Sequence, residues 1–404
     1  MQATDLTYPL NLLLILSESP LALDSGGSVA ARDRAVLMEG LAELDIAYVD
    51  WNSQGIGSLA PAARAVCQPI SIARPERNAT LGLRLRRRLH ARFGSLLHRG
   101  PWFFGQFSAS QVERQMRQYL DACNPDVVCF DNIPSTIAWD VCADHKRVYF
   151  AHNVEADIVH YTFAKGLMHK LERSRMCEHE ARIVREADMV VGFSRRDCEA
   201  LREIAPNQLF VVVPPAFPPP LPEPLQVRTG QPYAIIPSNA AWPPNVLSLR
   251  WFANEVLPHV SPQVRIMLTG RDQDGFLASL AREHGQLHYS GLLDRDHYEQ
   301  VFRDASLFIN PTCYGSGFQI KLMEALRFGI PVISTAFSNH LDDALTATDD
   351  PQRMAQMINE WMAHGRGVKP VDYDQLHRKA REGLQTALDR FVRCKVPASR
   401  MRAA

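Results

Sequence analysis

The sequence predicts an α/β protein built from two Rossmann-like, doubly wound domains facing a central cleft, and three observations carry that prediction. Short apolar runs alternate with helix-length amphipathic segments along the chain, the pattern of strand–helix–strand units with parallel sheets. Seven prolines crowd into 214–224, and the alternation restarts after them. At 404 residues the chain is also long enough for at least two domains of the usual ~150 residues.

In chain order, strands are expected at 10–16, 46–49, 127–130, 148–151, 189–193 and 210–213. A helix is expected over 29–44, from apolar residues at Val29, Val36, Leu37, Leu41 and Leu44, and another over 170–186. Proline lacks the amide donor and the φ freedom of helix or central strand, so the proline cluster reads as a stiff linker. Beyond it, strands are expected at 234–236, 264–268, 287–289, 307–309 and 332–334. Helices are expected at 246–257, 274–283, 296–304, 320–328, 351–364 and 375–392. The expected boundaries are a first domain over 1–215, a linker over 216–228 and a second domain over 229–375. Residues 376–404 form a last helix and basic tail returning toward the first domain. Ligands of such sheets lie outside the carboxyl ends of the strands, which points to the cleft.

Composition excludes several classes. Lys plus Arg and Asp plus Glu both number 44, so no bulk positive charge is available for nucleic-acid binding, and none is expected. No apolar run approaches the ~18–20 residues that span a bilayer. The apolar stretch at 10–16 is short and reads as a buried strand rather than a signal peptide. The eight cysteines, at 67, 123, 129, 142, 177, 198, 313 and 394, have no metal or disulfide spacing, so reduced thiols and a cytoplasmic location are expected.

The segment most informative for chemistry runs from Ser306 to Thr335. A buried strand leads into a loop with Gly315, Ser316 and Gly317, and a helix starts just after it. Glycines let backbone approach a ligand, and the free amides of a helix start favour an anion. Lys321 in the first turn can neutralise a phosphate, and Glu324, three residues on, can accept hydrogen bonds from ribose hydroxyls. The pattern is neither G-x-G-x-x-G nor G-x-x-x-x-G-K-[ST], so dinucleotide and P-loop sites are poor readings. A nucleoside-diphosphate site and a plain strand–turn–helix corner both remain open on residue chemistry alone.

This segment resembles the donor-site signature of family 4 glycosyltransferases, which have the GT-B fold. The matching features are Gly315/Gly317, Glu324-Ala325 and Gly329-Ile330-Pro331-Val332. Many members carry a glutamate at the place of Ser316; a subgroup with G-x-G-x-x-x-K-x-x-E fits better. Pro237–Asn245, Ser290–Asp294 and His152-Asn153-Val154-Glu155 are similar to further segments of that subgroup. The resemblance implies an acceptor-binding first domain, a donor-binding second domain, and retaining transfer of a sugar from a UDP- or GDP-sugar to a hydroxyl of a glycan or lipid-linked acceptor. It implies donor contacts at Gly26, Gly27, Arg271, Gly291, Leu292, Gly315, Ser316, Gly317, Phe318, Gln319, Ile320, Lys321 and Glu324. His152, Glu155 and Lys321 are the implied catalytic groups, with neither metal nor cofactor. Alternatives are a sugar-nucleotide epimerase and a non-catalytic binding or scaffold protein on the same fold.

Each remaining feature has a plainer reading. His152 follows a strand, where a histidine can be held by a backbone partner instead of facing substrate. Glu155 can orient His152 or cap the next segment, and Glu180 reads as structural. Ser25-Gly26-Gly27-Ser28 can be a turn with Ser28 as N-cap. The D-x-D triplets Asp272/Asp274, Asp294/Asp296 and Asp372/Asp374 lie at loop–helix junctions, where aspartate is a common cap, so no metal is expected. Residues 77–112 hold seven arginines and no acid, interleaved with leucines and followed by aromatics at 102–104. That segment, 77–104, is either a peripheral contact with the inner face of the cell membrane or a solvated helix.

Overall fold

The computed structural model describes residues 10–20, 26–39, 41–50, 63–67, 100–107, 109–162, 167–215, 218–221, 231–341 and 344–393. The chain forms two compact units. One comprises 1–159, 164–213 and 379–404, the other 160–163 and 214–378.

The first unit is built on a parallel sheet of seven strands. Its elements in chain order are β1 (Asn11–Leu16), α1 (Gly26–Glu39), β2 (Glu43–Val49), β3 (Ala63–Cys67), α2 (Ala109–Cys123), β4 (Val127–Asp131), the single turn α3 (Asn132–Ser135), β5 (Lys146–Ala151), α4 (Glu155–Thr162), α5 (Leu167–Glu186), β6 (Met189–Gly192), α6 (Arg195–Ile204) and β7 (Phe210–Val212). The strand order is β3-β2-β1-β4-β5-β6-β7, so the direction of winding reverses between β1 and β4. Leu12 pairs with Val127 and Ile15 with Phe130 across that boundary. β1 and β4 are apolar and buried almost throughout, as a sheet covered on both faces requires. α2 lays Val112, Met116 and Leu120, one helical turn apart, into the core. α6 starts where the Ser194 hydroxyl accepts from the Asp197 amide at 3.0 Å.

The second unit repeats the plan with six parallel strands. Its elements are β8 (Ala234–Pro237), α7 (Pro243–Trp251), β9 (Ile266–Thr269), α8 (Phe276–Glu283), β10 (Leu287–Tyr289), α9 (Arg295–Asp304), β11 (Leu307–Asn310), α10 (Ile320–Arg327), β12 (Val332–Ser334), β13 (Thr346–Ala347), α11 (Pro351–His364) and α12 (Tyr373–Arg393). The order β10-β9-β8-β11-β12-β13 reverses between β8 and β11. Ile236, Phe252, Leu268, Ile309, Ile333 and Ile358 belong to its core. α12 begins in the second unit and ends in the first, where the Lys146 ammonium donates to the Phe391 carbonyl at 3.4 Å.

Several expected elements shift for local reasons. The helix expected over 29–44 runs instead from Gly26 to Glu39. The Leu41 and Ala42 amides turn back onto the Met38 carbonyl, and the Glu43 amide then bonds to Leu10 and opens β2. Leu44 is therefore a strand residue, and Gly26 and Gly27 are helical rather than part of a loop. α7 starts three residues earlier than expected because Pro243 and Pro244 suit a first turn, and the chain continues as a π-helical turn over Phe252–Val256. Asp274 and Gly275 have positive φ and precede α8 instead of opening it. β3, with Arg64 as its second residue, and the two-residue β13 carry no long apolar run that would mark them. Residues 77–99, which hold all seven arginines of the arginine-rich segment, lie outside the described residues; Trp102–Gln106 form a short 3-10 helix.

Candidate functional site

In the second unit, β8 and β11 pair side by side at the reversal of winding, and the segments that follow them meet there. Gly315 (φ +101°) lies so close to Pro244 that a Cβ would sit 3.3 Å from the proline ring, and the Cys313 amide donates to the Ser248 hydroxyl at 3.2 Å. Gly317 is also left-handed, at φ +84°. Side chains at these two places would strain the turn that delivers the chain to α10. Beneath the loop, Asn310 donates to the Ser334 and Ser338 hydroxyls, and Thr335 donates to the Thr312 carbonyl. The loop therefore stands on a buried, hydrogen-bonded floor.

α10 opens with no side-chain cap from Gln319, and the Leu322 amide turns back onto the Gln319 carbonyl at 2.9 Å. Phe318 is buried against the His340 ring, and Ile320 is exposed. Lys321 is half-buried; burial lowers its ammonium to about 8, against the opposing pull of Glu324. Glu324 accepts from the Tyr298 hydroxyl at 2.9 Å and lies 3.9 Å from Arg295. α9 thus presents Tyr298 and Arg295 to a carboxylate on α10. Burial also raises the Glu324 carboxyl above its ordinary value.

The neighbouring strand ends are locked to one another. The Ser238 amide donates to Thr269, and a Cβ on Gly270 (φ +123°) would meet the Ser238 carbonyl at 2.1 Å, so only glycine allows this approach. Arg271 follows, exposed, its carbonyl accepting from the Ala240 amide at 2.8 Å. Gly291 (φ +85°) accepts from the Gly270 amide and the Thr269 hydroxyl, and Leu292 beside it is 74% exposed. The structure therefore brings Arg271, Gly291, Gly315–Ile320, Lys321 and Glu324 to one end of one sheet.

The first unit carries a different constellation at its own reversal point. Asp131 ends β4 and is buried, and Asn132 after it turns the chain through φ +69°. His152, just beyond β5, brings Nε2 to 2.7 Å from Asp131 Oδ1. Arg34 of α1, fully buried, ion-pairs with the same carboxylate, and the Ser17 hydroxyl donates to its other oxygen at 3.4 Å. The Arg34 guanidinium lies over Phe150 and Phe193, and the His152 ring packs on Phe193 at 5.0 Å. Burial, then Arg34, holds the imidazole well below its ordinary pKa. Burial lowers Arg34 to about 9, so it remains a cation at neutral pH.

Glu155 does not meet His152: its carboxylate accepts from Asn153 at 3.3 Å. Its amide and that of Ala156 donate to the two oxygens of Glu180, at 2.8 and 3.1 Å. Glu180, fully buried, caps the helix that follows His152, the structural part expected of it. Burial and the nearby Glu155 raise it to about 8. Gly26 and Gly27 open α1. The three D-x-D triplets act as caps, Asp272 to the Leu277 and Ala278 amides, Asp294 to His297 and Asp372 to Gln375.

Arg34, Asp131 and Tyr298 were not among the expected site residues, although each leaves a trace in the sequence. Asp131 closes an otherwise apolar strand. Arg34 sits between Ala31 and Met38 at buried-face spacing. Tyr298 lies four residues before the buried Phe302 on the inner side of α9.

Residues 232–364 match the family model of Glycosyl transferases group 1. An uncharacterized 44.6 kDa protein in the cps region of Klebsiella pneumoniae is 23% identical over 150 residues, which are 34% of this chain and 38% of that one. The match thus spans well under half of this curated relative. Sucrose-phosphate synthase from Thermosynechococcus elongatus is similar in structure, with a TM-score of 0.60 at 14% identity over 95% of this chain and 96% of that one. An α,α-trehalose-phosphate synthase (UDP-forming) from Burkholderia xenovorans, in complex with glucose-6-phosphate, gives a TM-score of 0.58 at 13% identity over 95% and 99%. The chain has the GT-B fold. The segment that matches the glycosyl transferases group 1 model lies within its second unit. Among the described residues no helix is long and apolar enough to cross a membrane.

Proposed function

We propose that the protein is a retaining glycosyltransferase that moves a sugar from a UDP- or GDP-sugar to a hydroxyl of a glycan or lipid-linked acceptor. The observation that carries this reading is the Gly315–Glu324 site at the β8/β11 reversal, inside the segment that matches the family model. The amides of the Gly315–Gln319 loop, Lys321 and Arg271 take the charge of the departing diphosphate. Glu324, steadied by Tyr298, receives the ribose hydroxyls. In the transfer step the acceptor oxygen bonds to the anomeric carbon as the bond to the phosphate oxygen breaks. The acceptor proton passes to that leaving oxygen on the same face. His152 serves a sugar or acceptor hydroxyl. The lead aspartates of the D-x-D triplets are engaged as helix caps, so the proposed reaction places no metal on them. Assembly of a surface polysaccharide is the proposed setting, in keeping with the cps-region relative.

The test is thermal stabilisation by UDP, GDP, dTDP, ADP and CMP. A nucleotide at about a hundred times its Kd stabilises by ~2.7 kcal/mol through mass action. One nucleotide should raise the melting temperature, and Glu324→Ala should abolish the rise. No rise with any of them would overturn the proposal.

A further inference from the structure

The buried group around Asp131 favours one nitrogen of His152 as the carrier of the proton. Asp131 pairs with a fully buried guanidinium, and a carboxylate in that pairing has only acceptor oxygens. Nε2 of His152 lies 2.7 Å from Oδ1 of that carboxylate, so it must donate and therefore bears the hydrogen. Nδ1 is then a bare lone pair on a side chain that is 18% exposed. The ring cannot readily turn over, because it is bonded at one edge and packed on Phe193 at its face. Arg34 is fully buried, so its charge acts from within the fold, on this pair and on the neighbouring Asp33.

We propose that Asp131 and Arg34 are positioning residues that lock His152 as the Nε2–H tautomer, so that its Nδ1 accepts a hydrogen bond from a substrate hydroxyl. This rests on the glycosyltransferase reading for the identity of the substrate. An acceptor nitrogen repels phosphate oxygens and welcomes a hydroxyl, so the group recognised here is a sugar or acceptor hydroxyl and not the diphosphate. Arg34 has a second part: its positive charge disfavours a second proton on the ring, which would convert the acceptor into a donor. Glu18 and the Asp131 carboxylate itself pull the opposite way, against burial and Arg34.

The experiment is a long-range 1H–15N correlation spectrum of the full chain labelled at its histidines, recorded from pH 5.5 to 8. His152→Asn identifies the resonance. The expected result is a single Nε2–H tautomer that does not titrate across that range. An Nδ1–H tautomer, or a midpoint near 6.5, overturns the proposal without reference to activity. The double variant Asp131→Asn/Arg34→Met removes both charges of the pair together and should release the tautomer. With a donor and acceptor in hand it should lower transfer about 10- to 100-fold, the worth of one well-oriented hydrogen bond, with nucleotide affinity unchanged. Loss of nucleotide affinity in the double variant, or an unchanged tautomer, also counts against the proposal. Because the tautomer is read without substrate, its failure is distinct from a failure of the glycosyltransferase reading.

Discussion

The two sheets share one strand order, yet their carboxyl ends are built from different material. At the β8/β11 reversal of the second unit the work falls to backbone: two left-handed glycines, an uncapped helix start and strand ends pinned through Gly270. The charged groups there, Lys321, Glu324 and Arg295, are half-buried or exposed. At the β1/β4 reversal of the first unit the carboxylate and guanidinium are removed from solvent almost entirely, and they hold a histidine between them and an aromatic ring. A backbone site suits an anion whose charge is spread over many oxygens. A fixed side-chain cluster suits one directional contact. The difference teaches that one topology can present a broad electrostatic cradle and a single oriented atom at equivalent positions.

The sharpest way to break this comparison is to remove one charge from each unit. Asp131→Ala removes the carboxylate that ion-pairs with the buried Arg34, and loss of one member of a buried pair costs about 3–5 kcal/mol. Urea unfolding followed by circular dichroism should show a loss of that order. A loss below ~1 kcal/mol would mean that solvent reaches Arg34 and that the cluster is not the fixed element described above. Lys321→Met should act in the opposite direction on the unliganded protein. Its ammonium is lowered to about 8 by burial, from an ordinary 10.5, so folding at neutral pH carries the cost of hiding a charge. That cost is fully present below pH 8 and disappears as pH rises toward 10.5. Removing the charge should therefore raise the melting temperature at pH 7 while weakening nucleotide binding.

The same lysine supplies the middle prediction. Its charge falls away above pH 8 in the free protein, so nucleoside-diphosphate affinity should weaken by up to about tenfold per pH unit beyond that point. Calorimetric titration at pH 7, 8 and 9 measures the slope, and Lys321→Met should flatten it. A flat profile in the unaltered protein would remove Lys321 from the phosphates.

How much of this was legible follows from the same contrast. Backbone chemistry leaves letters in a sequence: glycine at most positive-φ positions and asparagine or aspartate at the others, proline where a helix starts, aspartate where one is capped. The loop Gly315–Gln319, the Gly291 turn and the D-x-D caps could be read for that reason, as could most strands from their apolar runs. A buried side-chain cluster leaves no such spelling, since Asp131 lies 97 residues after Arg34 and 21 before His152, and the three meet only through the sheet order. Glu155 shows the limit from the other side: it adjoins His152 in the sequence, but its carboxylate turns to Asn153 and the capping falls to Glu180, 25 residues on. The start of α1 differs from the expected one because glycine is a poor helix former and does not mark a first turn.

The smallest effect tests whether the second unit also contains a directional element. Tyr298 donates to one oxygen of Glu324 at 2.9 Å, and its ring packs on Phe302 at 4.6 Å. Tyr298→Phe keeps the ring and deletes the hydroxyl, so stability should change little. What should change is the hold on Glu324, by about 1 kcal/mol, the net worth of a typical hydrogen bond. If Tyr298 orients the carboxylate toward ribose, the variant should lose about fivefold in affinity for the ribonucleoside diphosphate and almost nothing for its 2′,3′-dideoxy counterpart. Equal losses for both would show that the tyrosine shapes the pocket as a whole. In that case the second unit would remain a cradle without an oriented atom, and the contrast with the Asp131 cluster would stand at its strongest.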